Sequence, residues 1–136
     1  MSDQNITMSK YMTTEVKTLP ATSTIEEAQN MMAELGFRHL PIMEGDKLIG
    51  IISDRDIKLA HSLYGIDAAL MSVRDNCILS PHTVDVDANL YEVADAMAKY
   101  RYGCVIITKD NAVAGIFTTV DACKLLADLL RDQSES

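Results

Sequence analysis

A hydroxyl residue and an acidic residue stand three positions apart at two places in the chain, each time behind a glycine and two apolar residues. The two copies are Gly50-Ile51-Ile52-Ser53-Asp54-Arg55-Asp56 and Gly115-Ile116-Phe117-Thr118-Thr119-Val120-Asp121. Where a strand ends at the hydroxyl residue and a helix begins, the two side chains lie on the same side. The carboxylate can accept hydrogen bonds from both vicinal hydroxyls of a ribose, and the free amides of the helix N-terminus attract phosphate. The motif therefore suits a nucleoside that carries phosphates.

The same spacing also makes a helix cap that needs no ligand. A Ser or Thr before a helix and an acidic residue three positions later form a capping box, and Thr24-x-x-Glu27 repeats this pattern without any functional expectation. The glycine of each motif allows a close approach to the backbone. That approach could be made by a flat ring or by a packed neighbour, so both interpretations stay open.

The chain consists of one unit that occurs twice. A shift of 65 positions aligns Met8–Lys58 with Val73–Cys123 without a gap, and apolar positions match apolar positions almost throughout. A half of about 60 residues buries too little surface to be comfortably stable alone. We therefore expect the two halves to fold onto each other.

Each half predicts the same order of elements: strand, helix, strand, strand, helix. Caps at Thr24 and Asn89 precede apolar residues at helical spacing, and polar turns separate two strands in each half. This order indicates a mixed α/β fold of the α+β type. The predicted boundaries are 1–65 for the first repeat with its lead-in, 66–130 for the second repeat, and 131–136 for a disordered polar tail.

Composition and charge exclude several classes of function. The net charge is −8 and the pI is near 4.7, which argues against nucleic acids and anionic membranes as partners. No apolar run approaches the ~20 residues of a membrane helix, and the first ten residues lack a signal-peptide pattern. Three cysteines without a C-x-x-C spacing indicate free thiols in a reducing compartment. We therefore expect a cytoplasmic protein.

Motifs for catalysis and for metal binding are missing from the sequence. There is no phosphate-binding G-x-x-x-x-G-K-[ST] loop, no nucleophile elbow and no close acidic pair. The three histidines and three cysteines do not show metal-ligand spacing. We expect no enzymatic activity, no catalytic residues and no metal.

In these two motifs, and over essentially its whole length, the chain resembles the CBS domain family, in which two repeats form a pair called a Bateman module. The approach segments Tyr11-Met12-Thr13 and Gly36-Phe37-Arg38-His39-Leu40-Pro41-Ile42 add to the resemblance. It implies tandem repeats packed through their sheets with pseudo-two-fold symmetry, and clefts that bind an adenine nucleotide such as AMP, ADP or ATP. It also implies a regulatory sensor that forms a homodimer and signals to a protein partner.

The resemblance places the ribose and phosphate at the two motifs and the adenine near Thr18 and Thr83. Positive charge is richer around the first motif, because Gly103, Cys104 and Val120 stand in the second half where the first has Arg38, His39 and Arg55. The second cleft is therefore expected to be empty or to take a nucleoside with fewer charges. The full set of expected ligand-binding residues is Lys17, Thr18, Arg38, His39, Pro41, Ser53, Arg55, Asp56, His82, Thr83, Thr118 and Asp121.

Two other functions compete with the sensor. The first is a ligand-free module for homodimerisation or protein interaction, which could use the helically spaced Leu125, Leu126, Leu129 and Leu130, although a core role explains these leucines more simply. The second is a nucleotide-processing enzyme, which the missing catalytic motifs disfavour. The sequence does not distinguish among adenosine derivatives, since all of them share the ribose and the adenine.

Overall fold

The Asp56 motif lies where a strand meets a helix beside a four-stranded sheet. In the computed structural model, which describes residues 6–135 and their side chains through Gln133, the sheet order is β1-β2-β3-β4. The β1 strand runs parallel to β2, and the other neighbours are antiparallel. The elements are β1 (Leu19–Pro20), α1 (Ile25–Leu35), β2 (His39–Glu44), β3 (Lys47–Ser53), α2 (Asp54–Tyr64) and β4 (Ile78–Leu79).

The Asp121 motif occupies the equivalent place beside a three-stranded sheet of order β5-β6-β7. Its first strand is again parallel to its second, and the hairpin is antiparallel. The predicted order of elements is thus confirmed in both halves. The elements are β5 (Thr83–Asp85), α3 (Leu90–Tyr100), β6 (Cys104–Lys109), β7 (Ala112–Thr118) and α4 (Thr119–Glu135).

Local signals account for the helix ends. Thr24 and Glu27 form the predicted capping box of α1, and the Asn89 side chain accepts a hydrogen bond at the start of α3. Gly36 ends α1 in the left-handed region with a φ of 78°, where glycine has no steric penalty. Arg101 adopts the same region after α3 with a φ of 60°, so the repeated fold imposes this conformation without a glycine.

The chain divides into two compact units whose limits differ from those of the sequence repeats. One unit is Lys17–Pro81, and the other combines the residues up to Val16 with those from His82 onward. We call them the Asp56 unit and the Asp121 unit. The expected boundary at 65/66 does not coincide with either limit, because the segment before each repeat packs with the other repeat.

The buried residues of these lead-in segments explain why the limits of the units differ from those of the repeats. Met8 is fully buried in the core of the Asp121 unit beside Val93, Val105 and Phe117, and its amide donates to the Ala88 carbonyl at 3.0 Å. Burial of one such apolar side chain stabilises a fold by about 1.5–3 kcal/mol.

Val73 is the buried lead-in residue of the Asp56 unit. It is fully buried beside Ile25, Leu40 and Ile52, and its amide donates to the Ser23 carbonyl at 3.0 Å. A repeat pattern shows that Met8 and Val73 are equivalent, but it does not show which core each one enters.

The polar end of the chain differs from expectation. α4 continues to Glu135, so residues 131–135 are helical where we expected disorder, and Ser136 lies outside the described residues, as do Met1–Asn5. The Arg131 guanidinium pairs with Asp128 at 3.0 Å, one helical turn away, and such pairs support a helix that needs no core face. None of the helices within residues 6–135 is long and apolar enough to cross a lipid bilayer.

Candidate functional site

Both motif carboxylates cap the helix that follows them. In the Asp56 unit, the Ser53 amide and the Ser53 hydroxyl donate to Oδ2 of Asp56 at 2.8 and 2.9 Å. The Asp56 amide donates back to the Ser53 hydroxyl at 3.2 Å. Thr118 and Asp121 repeat these three bonds at 2.9, 3.0 and 3.2 Å. The capping interpretation is therefore correct for both motifs.

The capping box leaves part of each carboxylate out of use. Both donors reach Oδ2, so Oδ1 of Asp56 and of Asp121 takes no part in the box. The four motif side chains are half-buried rather than enclosed. A capping role and a ligand role are therefore compatible at the same residue, because each role needs a different oxygen.

The motif glycines do not make room for a ring, and that interpretation was wrong for the space beside them. A Cβ on Gly50 would lie 2.8 Å from Cys77 Sγ and 3.0 Å from the Ile78 carbonyl oxygen. A Cβ on Gly115 would lie 2.7 Å from Met12 Sδ and 2.9 Å from the Thr13 oxygen. Each glycine, because it lacks a Cβ, allows a lead-in segment of its own unit to pack against the strand.

Arg38 has a partner that motif reasoning did not predict. Its guanidinium lies 2.8 Å from Oδ2 of Asp54, and the Arg38 side chain is 74% exposed. Partial burial acts to raise the pKa of the Asp54 carboxyl, but the hydrogen bond and the charge of Arg38 outweigh it and hold that pKa below its ordinary value. Part of the positive charge expected for phosphate is thus already paired.

The remaining expected residues of the Asp56 unit gather at one end of its sheet. His39 lies opposite Ser53 in the β2–β3 register and is half-buried. Lys17 and Thr18 are exposed and directly precede β1, which runs parallel to β2. Arg55 is exposed in the first turn of α2. Cations and the N-terminus of α2 therefore share this end of the unit. The amides expected for phosphate are largely taken there, because the Asp54 amide donates to the Arg38 carbonyl at 3.1 Å and the Asp56 amide donates to the Ser53 hydroxyl.

Pro41 is an exception among the expected residues. Its side chain is less than 2% exposed within β2, so it presents no surface to a ligand. Pro41 lies in the first strand of the predicted hairpin, where the neighbouring strands cover it, so direct contact of its side chain with a ligand is not supported.

The matching end of the Asp121 unit is aromatic rather than cationic. The His82 ring stacks on Tyr102 with centroids 4.3 Å apart and planes 18° apart. Thr83 is exposed at the start of β5, and exposed Val120 occupies the place of Arg55. Tyr102 was not among the expected residues, since nothing in its spacing singled it out.

A cysteine lies close to each motif carboxylate. Burial and then the Asp121 charge raise the pKa of the Cys104 thiol to about 12. Burial and then the Asp56 charge raise the pKa of Cys77 as well. Thiols with raised pKa values are poor nucleophiles and poor metal ligands at neutral pH. Within residues 6–135, no three His, Cys, Asp or Glu side chains are grouped as a metal ion would need.

Comparisons with known proteins place the whole chain in one family. A family model described as CBS domain matches residues 8–62 and 73–128. The crystal structure of a candidate acetoin utilization protein (AcuB) from Vibrio cholerae is 32% identical, with a TM-score of 0.82 over 96% of this chain and 97% of that chain. These matches confirm the resemblance and the fold class that the sequence predicted.

Two further relatives bear on the site and on the size of the protein. The CBS domain pair of protein MJ0100, crystallised in complex with 5′-methylthioadenosine and S-adenosyl-L-methionine, is 26% identical with a TM-score of 0.79 over 89% of this chain and 99% of that chain. The uncharacterized protein MJ1232 of Methanocaldococcus jannaschii is 30% identical over 114 residues, which are 83% of this chain and 37% of that protein. The chain spans less than half of MJ1232 and of a second relative from the same organism.

Proposed function

Because the chain belongs to the CBS domain family, we propose that it is a non-catalytic regulatory module that binds an adenosine-containing ligand at the Asp56 motif. The ligand is an adenine nucleotide such as AMP, ADP or ATP. Its occupancy is passed to a protein partner or to the arrangement of a homodimer, in the cytoplasm.

This proposal rests on one observation: Oδ1 of Asp56 takes no part in the capping box and can accept a hydrogen bond. Oδ2 is held by two donors from Ser53, which fixes the carboxylate and directs Oδ1 away from the capping box. A fixed carboxylate oxygen is a strong acceptor for a sugar hydroxyl. The binding of two adenosine derivatives by the MJ0100 pair supports the same ligand class.

Charge favours the Asp56 unit for a phosphorylated ligand. Lys17 and Arg55 are exposed near the N-terminus of α2, whereas His82 and Val120 occupy the aligned positions in the Asp121 unit. The half-buried thiol of Cys104, whose raised pKa keeps it neutral, and the apolar Val120 offer no charge to phosphate. The Asp121 motif therefore suits a nucleoside with fewer charges.

A ligand of this kind would act through differential binding. It can shift an equilibrium between two arrangements only by the difference in its affinity for them. Useful coupling between sites is typically about 1–3 kcal/mol. Binding at a fixed carboxylate is sufficient for this task, and the proposal requires no chemical step.

Asp56→Asn tests the proposal in a calorimetric titration with AMP, ADP, ATP, S-adenosylmethionine and 5′-methylthioadenosine. Asparagine keeps an oxygen for the capping box but loses the charge that holds the ribose. Hydrogen bonds to charged groups are worth about 1.5–3 kcal/mol, so we expect affinity to fall about 10- to 150-fold.

Asp46→Asn is the matched control, because Asp46 is an exposed acidic residue in the hairpin turn of the same unit. It should bind as the wild type does. Equal affinity in wild type, Asp56→Asn and Asp121→Asn would contradict the assignment, and no binding of any compound to the wild type would remove the function itself.

Exposed helix faces favour a second candidate, a homodimer that forms with or without ligand. We expected Leu126, Leu129 and Leu130 to be core residues, but they are 52–56% exposed on α4. The equivalent helix α2 exposes Leu59 and Leu63 to a similar degree. Apolar side chains exposed together on a helix are typical of protein interfaces.

A further inference from the structure

A proline interrupts the parallel strand pairing next to the Asp56 motif. Pro41 lies in β2, which has β1 on one side and β3 on the other. Proline has no amide hydrogen, so in a central strand it removes one hydrogen bond of the ladder. The missing bond can be identified because the other half contains the same strands.

Ile106 is the equivalent of Pro41 in the Asp121 unit. Its amide donates to the His82 carbonyl at 3.0 Å, and Ile106 pairs with Thr83 in the register of β5 and β6. The other two pairs of that register recur as Leu19 with Ile42 and as Pro20 with Met43. Only the pair at Pro41 is missing, which explains why β1 is one residue shorter than β5.

The missing amide hydrogen of Pro41 leaves the Lys17 carbonyl without the hydrogen bond that its equivalent, His82, accepts. Lys17 is the equivalent of His82, and among the described residues no backbone amide donates to its carbonyl oxygen. Both Lys17 and Thr18 are exposed. An acceptor at the end of the sheet is therefore open to a donor from outside the backbone.

The strand order sets the separation between this acceptor and the Asp56 motif. β1 and β3 are both neighbours of β2, so they lie about 10 Å apart, and Ser53 with the motif follows at the end of β3. A nucleoside whose ribose is held at Asp56 spans a distance of this order. A carbonyl oxygen accepts but cannot donate, so it favours the amino group at C6 of adenine over the oxygen that a 6-oxopurine carries at the same position.

We propose that Pro41 is a specificity-determining residue, which keeps the Lys17 carbonyl available to the exocyclic amino group of a 6-aminopurine and so disfavours 6-oxopurines. The inference rests on the proposed function, since it assumes a nucleotide at the Asp56 motif. The Asp121 unit lacks this selection, because its equivalent carbonyl already accepts from Ile106.

The test compares AMP with IMP by calorimetry in wild type, Pro41→Ile and Pro41→Ala. Both substitutions restore an amide hydrogen that can occupy the Lys17 carbonyl, and isoleucine copies Ile106. A neutral hydrogen bond contributes about 0.5–1.5 kcal/mol, so the wild-type preference for AMP over IMP should fall roughly 2- to 13-fold in both variants. The ratio of the two affinities is the readout, because general damage to the site lowers both.

Three outcomes are distinguishable. A wild type that binds neither nucleotide overturns this inference, and the proposed function falls with it only if ADP, ATP, S-adenosylmethionine and 5′-methylthioadenosine also fail to bind. A wild type that prefers AMP, with the same preference in the folded variants, overturns the inference alone. If both variants unfold, the carbonyl ¹³C resonance of Lys17 in the wild type decides: it should shift with AMP and not with IMP, and equal shifts would contradict the role of Pro41.

Discussion

At the scale of single residues, each motif joins a helix cap and a candidate ligand contact in one carboxylate. Ser53 holds one oxygen of Asp56 through two donors, which restricts the side chain before any ligand arrives. Such restriction reduces the entropy that binding would otherwise cost. A capping box is thus a means of preorganising a binding residue.

The motif glycines lead to a stability prediction. Gly50→Ala and Gly115→Ala each place a Cβ within 3.0 Å of a lead-in segment, so we expect a loss of about 1–3 kcal/mol in the free energy of unfolding from overpacking. Urea denaturation measures this change.

Gly103→Ala is the matched control, because a Cβ at Gly103 meets nothing within 4 Å. Its effect should stay within about 0.5 kcal/mol. If the motif variants are as stable as Gly103→Ala, the close approach of the lead-in segments is not what these positions require.

Sequence spacing predicted some of these roles and missed others for a physical reason. The capping boxes at Ser53 and Thr118 follow from local spacing alone, and they were predicted. The Arg38–Asp54 pair and the effect of Pro41 depend on which strands are neighbours and in which register. A single sequence without a register cannot supply that information.

At the scale of elements, helical and strand periodicity predicted the order of the elements in both halves. Apolar spacing along α1 and α3 matches their buried faces, which include Ile25, Met32, Val93 and Met97. The short strand β4 and the placement of the lead-in segments were not predicted. Two- and three-residue elements carry too little pattern to be recognised, and their pairing is decided by tertiary contacts.

The exposed faces of α2 and α4 lead to a prediction about assembly. Leu63→Glu and Leu129→Glu place a charge on each face, where Leu63 is 64% and Leu129 52% exposed. If a second copy covers these faces, the wild type should be dimeric at tens of micromolar. Each variant should then weaken dimerisation about 30-fold or more, because central interface residues contribute about 2 kcal/mol or more.

Tyr91→Glu is the control for charge alone, since Tyr91 is 75% exposed on a different helix, α3. Sedimentation velocity of the three variants and the wild type gives the comparison. A monomeric wild type, or equal dimerisation in all four proteins, would contradict the homodimer.

At the scale of the whole molecule, the two repeats share the same capped strand-to-helix motif but differ in the side chains that surround it. The capping boxes recur with bond lengths that agree within 0.1 Å. The surrounding residues have diverged. The Asp56 unit has cations and lacks one hydrogen bond between its parallel strands β1 and β2. The Asp121 unit has the His82–Tyr102 stack and keeps the equivalent hydrogen bond between β5 and β6. This divergence agrees with the proposal that the Asp56 unit, and not the Asp121 unit, binds a phosphorylated ligand.

The central claim is that Asp56 accepts a hydrogen bond from the ribose of an adenosine-containing ligand. Calorimetry with AMP and 2′-deoxy-AMP, in wild type and in Asp56→Asn, tests this bond directly. We expect removal of the 2′-hydroxyl to weaken binding about tenfold or more in the wild type and to have little effect in Asp56→Asn, because the acceptor is already lost. The same loss in both proteins, or no loss in the wild type, would show that Asp56 does not hold the sugar.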